Sequence, residues 1–311
     1  MTTKAKPFIK WVGGKGQLIS QLEELLPADF NEWRDATYVE PFVGGGAMLF
    51  HILQTYPNIK KAVINDINPD LISCYKTVRD DPASLIDSLR ELQTEYLSLG
   101  TEEEKKSYFL RKRQAYNTKR LSDIDNATLF IFLNRTCFNG LYRVNKSGMF
   151  NVPFGKYMTP TICDAETIMA DSRILQRVTI MNGSYEETLG EAQGKTLFYL
   201  DPPYRPLSDT SNFNDYSKEE FNDSAQIRLK GFCDVLHGLG HHFMLSNSDP
   251  SGCGGGDPFF DNLYKDYFIE RVWAARMVNS NAAKRGKLTE ILVHNYERTR
   301  KLSCNLQFDI R

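Results

Sequence analysis

Thr37-Tyr38-Val39-Glu40-Pro41-Phe42-Val43 is an apolar run that breaks into Gly44-Gly45-Gly46 before Ala47. The run Thr37–Val43 reads as a short buried strand, and the glycines open a helix from about Ala47 to Tyr56. Lys61–Asn65 (KAVIN) is a second buried strand and Pro69–Val78 a second helix. A β-α-β-α beginning of this kind belongs to a parallel sheet covered by helices. Glycines at the strand-to-helix turn let the backbone approach a ligand closely and leave helix N–H groups facing it. Asp66 stands twenty residues beyond Gly46, at the end of the second strand. A carboxylate there can accept hydrogen bonds from both hydroxyls of a ribose, so the pair of features points to a nucleoside-containing cofactor. The stretch Asp66-Ile67-Asn68-Pro69-Asp70 is not a calcium loop, because its sixth position is Leu71 where such a loop needs glycine.

Beyond this unit strand-like runs stop, and Pro82–Leu133 is helical, charged and poor in glycine. Thr196–Asp201 restores a buried strand, Glu219–Leu239 reads as a helix and His242–Ser246 as another strand. Asp266–Val278 and Leu288–Tyr296 are β-rich and suit an antiparallel pair at the end of the sheet. The 135 residues from Asp66 to Asp201 exceed what two βα units need. The surplus is a helical insertion of about 80–100 residues, given connections of about 2–6 residues and helices of about 11–12. The expected organisation is α/β: a Rossmann-like domain with a parallel-dominated sheet, formed by 1–80 and 170–311, interrupted by a helical unit over 81–169.

Composition narrows the class without naming a partner. The 311 residues are enough for about two domains of roughly 100–200 residues each. Hydrophobic residues at 41% and charged residues at 25% exclude a disordered or low-complexity chain. No apolar run approaches the roughly 18 residues of a membrane span and the N-terminus is polar, so a cytoplasmic protein with no membrane association is expected. The six cysteines form no C-x-x-C pair and the five histidines show no ligand spacing, so neither a disulfide framework nor a metal is expected. The formal net charge is −1, and a nucleic-acid reading must therefore rest on local clusters. One such cluster is Lys105–Arg120, with seven basic residues and no acidic one. A solvated helix face is its plain reading, and a phosphate-contacting face its functional one.

The second chemical signal is Asp201-Pro202-Pro203-Tyr204, directly after the strand TLFYL. Two prolines in series fix φ, remove two donors and present outward carbonyls. A carboxylate and a carbonyl, both acceptors, suit a substrate carrying two N–H bonds, and the tyrosine offers a flat face for stacking.

With these residues in place, the chain resembles the N6-adenine DNA methyltransferases of the Dam (GATC-recognising) type. The matching segments are Lys10-Trp11-Val12-Gly13-Gly14-Lys15, Glu40–Gly46, Asn65–Ile72, and Asp201-Pro202-Pro203-Tyr204 with Pro206-Leu207-Ser208 and Phe213. A fifth, Asn134–Arg143 continuing to Asn151–Tyr157, resembles the family's target-recognition hairpin, and the match spans about residues 6–297. The resemblance implies S-adenosylmethionine as methyl donor, no metal, double-stranded DNA as partner and no obligate protein partner. It places Trp11, Lys15, Phe42, Gly44, Gly46, Asp66 and Asp201 at the cofactor, and Asp201, Pro202 and Tyr204 at the chemistry. Trp11 would face the cationic donor and Lys15 would reach its carboxylate. DNA contacts are implied for Lys10, Phe138, Asn139, Leu141, Arg143, Asn145, Lys156 and Tyr157. Arg143 is the candidate for bidentate pairing with a guanine, with Phe138, Asn139 and Leu141 at the opened base step. Asn279-Ser280-Asn281 and Lys284-Arg285-Gly286-Lys287 would touch the DNA backbone, whereas Arg298–Arg311 lies beyond the match. Two other readings stand beside this one. The first is transfer to another conjugated nitrogen: an RNA adenine, cytosine N4, or a protein glutamine. The second is a DNA-binding regulator without catalysis, against which the intact Lys15, Asp66 and Asp201 argue.

Overall fold

Pro41 has no N–H to offer a ladder, and the first strand ends just before it. The computed structural model describes residues 3–205, 221–252, 256–275 and 287–298. Its strands are β1 (Ala36–Glu40), β2 (Ile59–Asp66), β3 (Val178–Asn182), β4 (Thr196–Leu200), β5 (His242–Ser248), β6 (Phe268–Ala275) and β7 (Lys287–His294). They form one sheet in the order β3-β2-β1-β4-β5-β7-β6. β1 to β5 run parallel, while β7 runs antiparallel to both β5 and β6. The parallel-dominated sheet with an antiparallel pair at its end is the architecture expected from the sequence. Three details differ. The strand expected over Thr37–Val43 stops at Glu40, and Val43 N–H already turns to bond the Asn65 carbonyl at 3.0 Å. β3 was not anticipated: it is a five-residue edge strand buried only at alternate positions, so no continuous apolar run marks it. The helix expected from Glu219 begins at Asp223, because the Asn222 side chain caps it by accepting from Ala225 N–H.

The helices are α1 (Ile19–Glu24), α2 (Ala47–Thr55), α3 (Pro69–Asp80), α4 (Pro82–Ser98), α5 (Glu102–Tyr116), α6 (Asp123–Thr136), α7 (Ala165–Leu175), α8 (Asp223–Gly238) and α9 (Phe259–Leu263). Their starts are written locally. Asn68 accepts from Asp70 and Leu71 N–H with Pro69 at the first position of α3, and Thr101 and Glu104 form a reciprocal capping box on α5. Alternation along the central strands feeds two apolar layers. Tyr38, Ala62, Ile64, Leu197 and Tyr199 pack with α2 and α3 in a layer that continues through Leu89, Tyr96, Phe109 and Phe132 of α4–α6. Val39, Val63, Phe198, Leu200 and Leu245 face the other way, against Leu229, Phe232 and Leu236 of α8. Between α6 and α7 the chain forms a hairpin closed by Asn145 N–H to the Met149 carbonyl and Asn151 N–H to the Arg143 carbonyl. No helix among the described residues is long and apolar enough to cross a membrane.

The N-terminal segment is fastened across the helices. Gln54 brackets Ala5 through both its amide atoms, and Lys6 N–H donates to Asp171 Oδ1 at 3.0 Å. Asp171 is fully buried, and burial pushes its carboxyl up to about 8. The folded state therefore holds a proton that the unfolded chain, with an ordinary carboxyl near 3.9, has released. Stability is thus highest below pH ~4 for this group and falls as pH rises toward about 8. Asp171→Asn is expected to flatten this slope, raising the urea midpoint at pH 7–8 with little effect at pH 4. An unchanged slope would show that Asp171 is ionised in the fold.

Candidate active site

Strand order reverses between β1 and β4, the switch point beside which doubly wound sheets bind their ligands, and the loops leaving the carboxyl ends of these strands carry the residues of interest. After β1 comes the glycine turn. Gly44 and Gly46 adopt φ of +47° and +71°, where L side chains are strained. Space forbids a side chain as well: a Cβ on Gly44 would lie 2.7 Å from Trp11 Cδ1, and one on Gly46 2.6 Å from the Tyr75 hydroxyl. At the end of β2, Asp66 accepts from Gly44 N–H at 3.2 Å and from Asn68 N–H at 2.9 Å. Burial raises its carboxyl above the ordinary range, and these backbone donors oppose the shift.

Asp201 follows β4. Its Oδ1 takes the Lys15 ammonium at 2.8 Å and the Ser246 hydroxyl at 2.8 Å, while among the described residues no donor reaches Oδ2 or the Pro202 carbonyl. Lys15 is 5% exposed, donates also to the Gly13 carbonyl at 2.9 Å and stands 4.5 Å from the centre of the Tyr204 ring. The resemblance implies a cofactor carboxylate for Lys15, and in the structure its ammonium lies on Asp201, another residue assigned to the cofactor. The Tyr204 hydroxyl donates to Glu290 Oε2 on β7 at 2.8 Å. Burial raises Glu290, partly offset by Lys15, and burial raises Glu40 beneath the same cluster.

Several residues that fix this loop carry no signal in the sequence. Gln226 donates to the Pro203 carbonyl at 3.2 Å and accepts from Asn247 at 3.0 Å. Asn247 in turn accepts from Arg205 N–H at 3.3 Å, and Ser248 donates to the Arg205 carbonyl at 2.8 Å. The Arg205 guanidinium pairs with Asp223 and Asp257, both at 2.6 Å. Only the strand-to-loop position of Asn247 and Ser248, at the end of β5, could have drawn attention to them.

Trp11 is half-buried, stacked on Tyr142 with ring centres 5.7 Å apart, and lies against the glycine turn. Phe42 packs on Tyr185 and Phe221. Asp70 ties the hairpin to this wall, because its Oδ2 accepts from Tyr116 at 2.7 Å, Lys119 at 2.6 Å and Tyr142 at 3.1 Å. Burial would raise Asp70, but these partners hold it below the usual range.

Of the residues assigned to DNA, Phe138 is 50% exposed and Asn139, with φ +55°, is exposed beside it. Leu141 is half-buried and packs onto the core. Arg143 donates from Nε to Asn151 Oδ1 at 2.7 Å. Asn145 spends its side-chain oxygen on Ser147 and Met149 N–H, closing the hairpin turn. Lys156 pairs with Glu102 at 3.1 Å, and the Tyr157 ring lies 5.0 Å from the Lys10 ammonium. The expectation of a single phosphate-contacting face over Lys105–Arg120 needs correcting. Lys105 is 2% exposed and donates to the Tyr96 carbonyl at 2.6 Å, so it is a core residue. Lys112 and Lys119 are paired with Glu95 and Asp70, and Arg113 donates to the Val152 carbonyl. The run shows only cations in the sequence because its carboxylate partners, Glu95 and Asp70 among them, lie outside it. Pro206-Leu207-Ser208, Phe213, Asn279–Asn281, Lys284–Gly286 and the tail beyond Arg298 lie outside the described residues, as does the side chain of Lys287. Among the described residues no group of three or more His, Cys, Asp or Glu side chains is placed to hold a metal ion.

This sheet order, with a glycine turn and an acid on one side of the switch point and an Asp-Pro-Pro-Tyr loop on the other, is that of an α/β methyltransferase. The chain belongs to the D12 class of N6 adenine-specific DNA methyltransferases, whose family model matches residues 11–278. It is 44% identical over 296 residues to the type II methyltransferase M.MjaIII of Methanocaldococcus jannaschii, covering 94% of this chain and all of that protein. It is 39% identical to the type II methyltransferase M1.LlaDCHI of Lactococcus lactis subsp. cremoris, covering 94% and 95%. Identity to the DNA adenine methylase of Vibrio cholerae is 32%, covering 93% and 95%. The chain is thus an adenine-specific DNA methyltransferase, and the Dam-type resemblance widens to the D12 class as a whole.

Proposed function

We propose that this enzyme transfers the methyl group of S-adenosylmethionine to N6 of an adenine turned out of duplex DNA, at GATC sites. The observation that carries the chemistry is the state of the Asp201 loop. Lys15 and Ser246 fix the carboxylate through Oδ1, and among the described residues Oδ2 and the Pro202 carbonyl remain as two acceptors on a stiff backbone. Adenine's amino lone pair is delocalised into the ring and is a poor nucleophile. Acceptors on both N–H bonds localise it as the new bond forms and stabilise the positive charge that develops there. A stacked base cannot reach such a loop, so the adenine must leave the duplex. Lys15 covers one face of Tyr204, and the base would stack on the other.

The residues present fit the proposed donor. Gly44 and Gly46 keep the turn's backbone bare, because Trp11 and Tyr75 hold the space that a Cβ would take, and Asp66, bonded to the turn through Gly44 N–H, keeps lone pairs for ribose hydroxyls. Trp11 and Phe42 supply apolar walls on either side of the turn. When bound, S-adenosylmethionine would supply an electrophilic methyl on sulfur.

Recognition is assigned to the unit 81–169 with its hairpin. Arg143, aligned by Asn151, reads a guanine, while Phe138 and Asn139 meet the opened step and Lys10 a second guanine. Arg143→Ala is expected to cost about 1–3 kcal/mol of discrimination at one base pair, measured by kcat/KM on single-substituted duplexes. Equal weakening on every sequence would make it a phosphate contact. The site assignment is tested with two duplexes differing only in one GATC and labelled donor. Label confined to the GATC duplex is expected, and equal label on both would remove the GATC assignment.

A further inference from the structure

Asn134, in the last turn of α6, uses its whole amide on two segments far apart in sequence. It is 4% exposed. Its Oδ1 accepts from Lys10 N–H at 2.8 Å, and its Nδ2 donates to the Lys10 carbonyl at 2.8 Å and to the Gly140 carbonyl at 2.9 Å. Toward Lys10 it behaves as one residue of a neighbouring strand. Toward Gly140 it fastens the turn that exposes Phe138 and Asn139.

The surroundings make Lys10 and this turn a single body. The Lys10 stem lies on Gly140 so closely that a Cβ there would sit 2.7 Å from both Lys10 Cβ and Cδ, and Gly140 has φ +64°. The Lys10 ammonium faces the Tyr157 ring, whose backbone carbonyl accepts from the Tyr96 hydroxyl at 2.6 Å. Phe138 N–H bonds the Pro153 carbonyl and Gly155 N–H the Thr136 carbonyl, both at 2.9 Å. Lys10 and the Phe138–Gly140 turn, two of the segments assigned above to base reading, therefore meet on one buried amide.

We propose that Asn134 is a positioning residue for sequence recognition: it sets the register of Lys10 against the Phe138–Gly140 turn, so that the two read one site together. This rests on the reading that Lys10 contacts a base. Asparagine is required because both N–H bonds and the carbonyl are used. Aspartate would lose both donations and turn a carboxylate oxygen toward two carbonyls.

The test compares kcat/KM on the preferred duplex and on each of its single-base-pair variants for wild type, Lys10→Ala, Asn134→Ala, Asn134→Asp and the double variant Lys10→Ala/Asn134→Ala. S-adenosylmethionine affinity is measured alongside. Both Asn134 variants are expected to lower discrimination about tenfold or more at the base pair that Lys10→Ala affects, with cofactor affinity unchanged. The double variant should lose no more than Lys10→Ala alone, because the two changes act on one contact. A uniform fall on all duplexes, or an unchanged ratio while Lys10→Ala changes it, overturns the proposal and leaves the Lys10 reading standing. If Lys10→Ala itself leaves the ratio unchanged, the base-reading role of Lys10 fails and the proposal with it. Should the Asn134 variants not fold, Gly140→Ala pushes on Lys10 from the opposite side. It is expected to lower the same ratio, and an unchanged ratio there overturns the proposal equally.

Discussion

Asp201→Ala is expected to lower methyl transfer roughly 10³-fold while leaving duplex binding within a few-fold, since removing one preorganised polar group from a reacting centre typically costs about 10²–10³. The carboxylate is one of two acceptors on the amine and touches none of the segments assigned to DNA. Its removal leaves the Lys15 ammonium buried with the Gly13 carbonyl and the Tyr204 ring for company. Some loss of stability therefore accompanies the change. Asp201→Asn separates the two effects, because its amide keeps an acceptor for Ser246 and the loop's shape but loses the charge. Single-turnover rates and duplex affinities, measured on both variants, should show turnover falling in each with binding retained. Parallel loss of binding and turnover in Asp201→Asn would make the residue structural.

Lys15→Met is expected to cost about 3 kcal/mol of stability, because removing one partner of a buried pair strands the other. The partner here is more than one carboxylate. Asp201 is in direct contact at 2.8 Å, and the same cation lowers the carboxyls of Glu40 and Glu290 against the burial that raises both. Methionine matches the length of the lysine stem, so the variant removes charge with little change of volume. Urea midpoints read the stability and single-turnover rates read the chemistry, and both should fall. A midpoint within about 0.5 kcal/mol of wild type, the range of an ordinary surface change, would show that Lys15 does not neutralise this cluster.

The elements that sequence made readable are those whose signal is local. The run into Gly44-Gly45-Gly46, Asp66 at its offset, and Asp201-Pro202-Pro203-Tyr204 after an apolar strand each carry their meaning within a few residues. The same holds for the antiparallel pair that closes the sheet. What escaped depends on partners distant in the chain. β3 is a half-buried edge strand, recognisable only by its pairing with β2. Lys105 looked like one more member of a basic face because its burial under Tyr96 arises from helix packing. Asn134 lay within a segment quoted for its resemblance, yet its role becomes visible only when Lys10, 124 residues away, is brought beside it. Gln226, Asn247 and Glu290 likewise hold the Asp201 loop from three separate parts of the sequence.

The central claim is that the Asp201 and Pro202 acceptors direct a methyl group from S-adenosylmethionine onto an adenine amine. Its most direct test is mass analysis of nucleosides released from a duplex after reaction with isotopically labelled S-adenosylmethionine. The account predicts one labelled product, N6-methyladenine, formed by wild type and formed roughly 10³-fold more slowly by Asp201→Ala. Label on cytosine, or labelled N6-methyladenine formed at undiminished rate by Asp201→Ala, would contradict it.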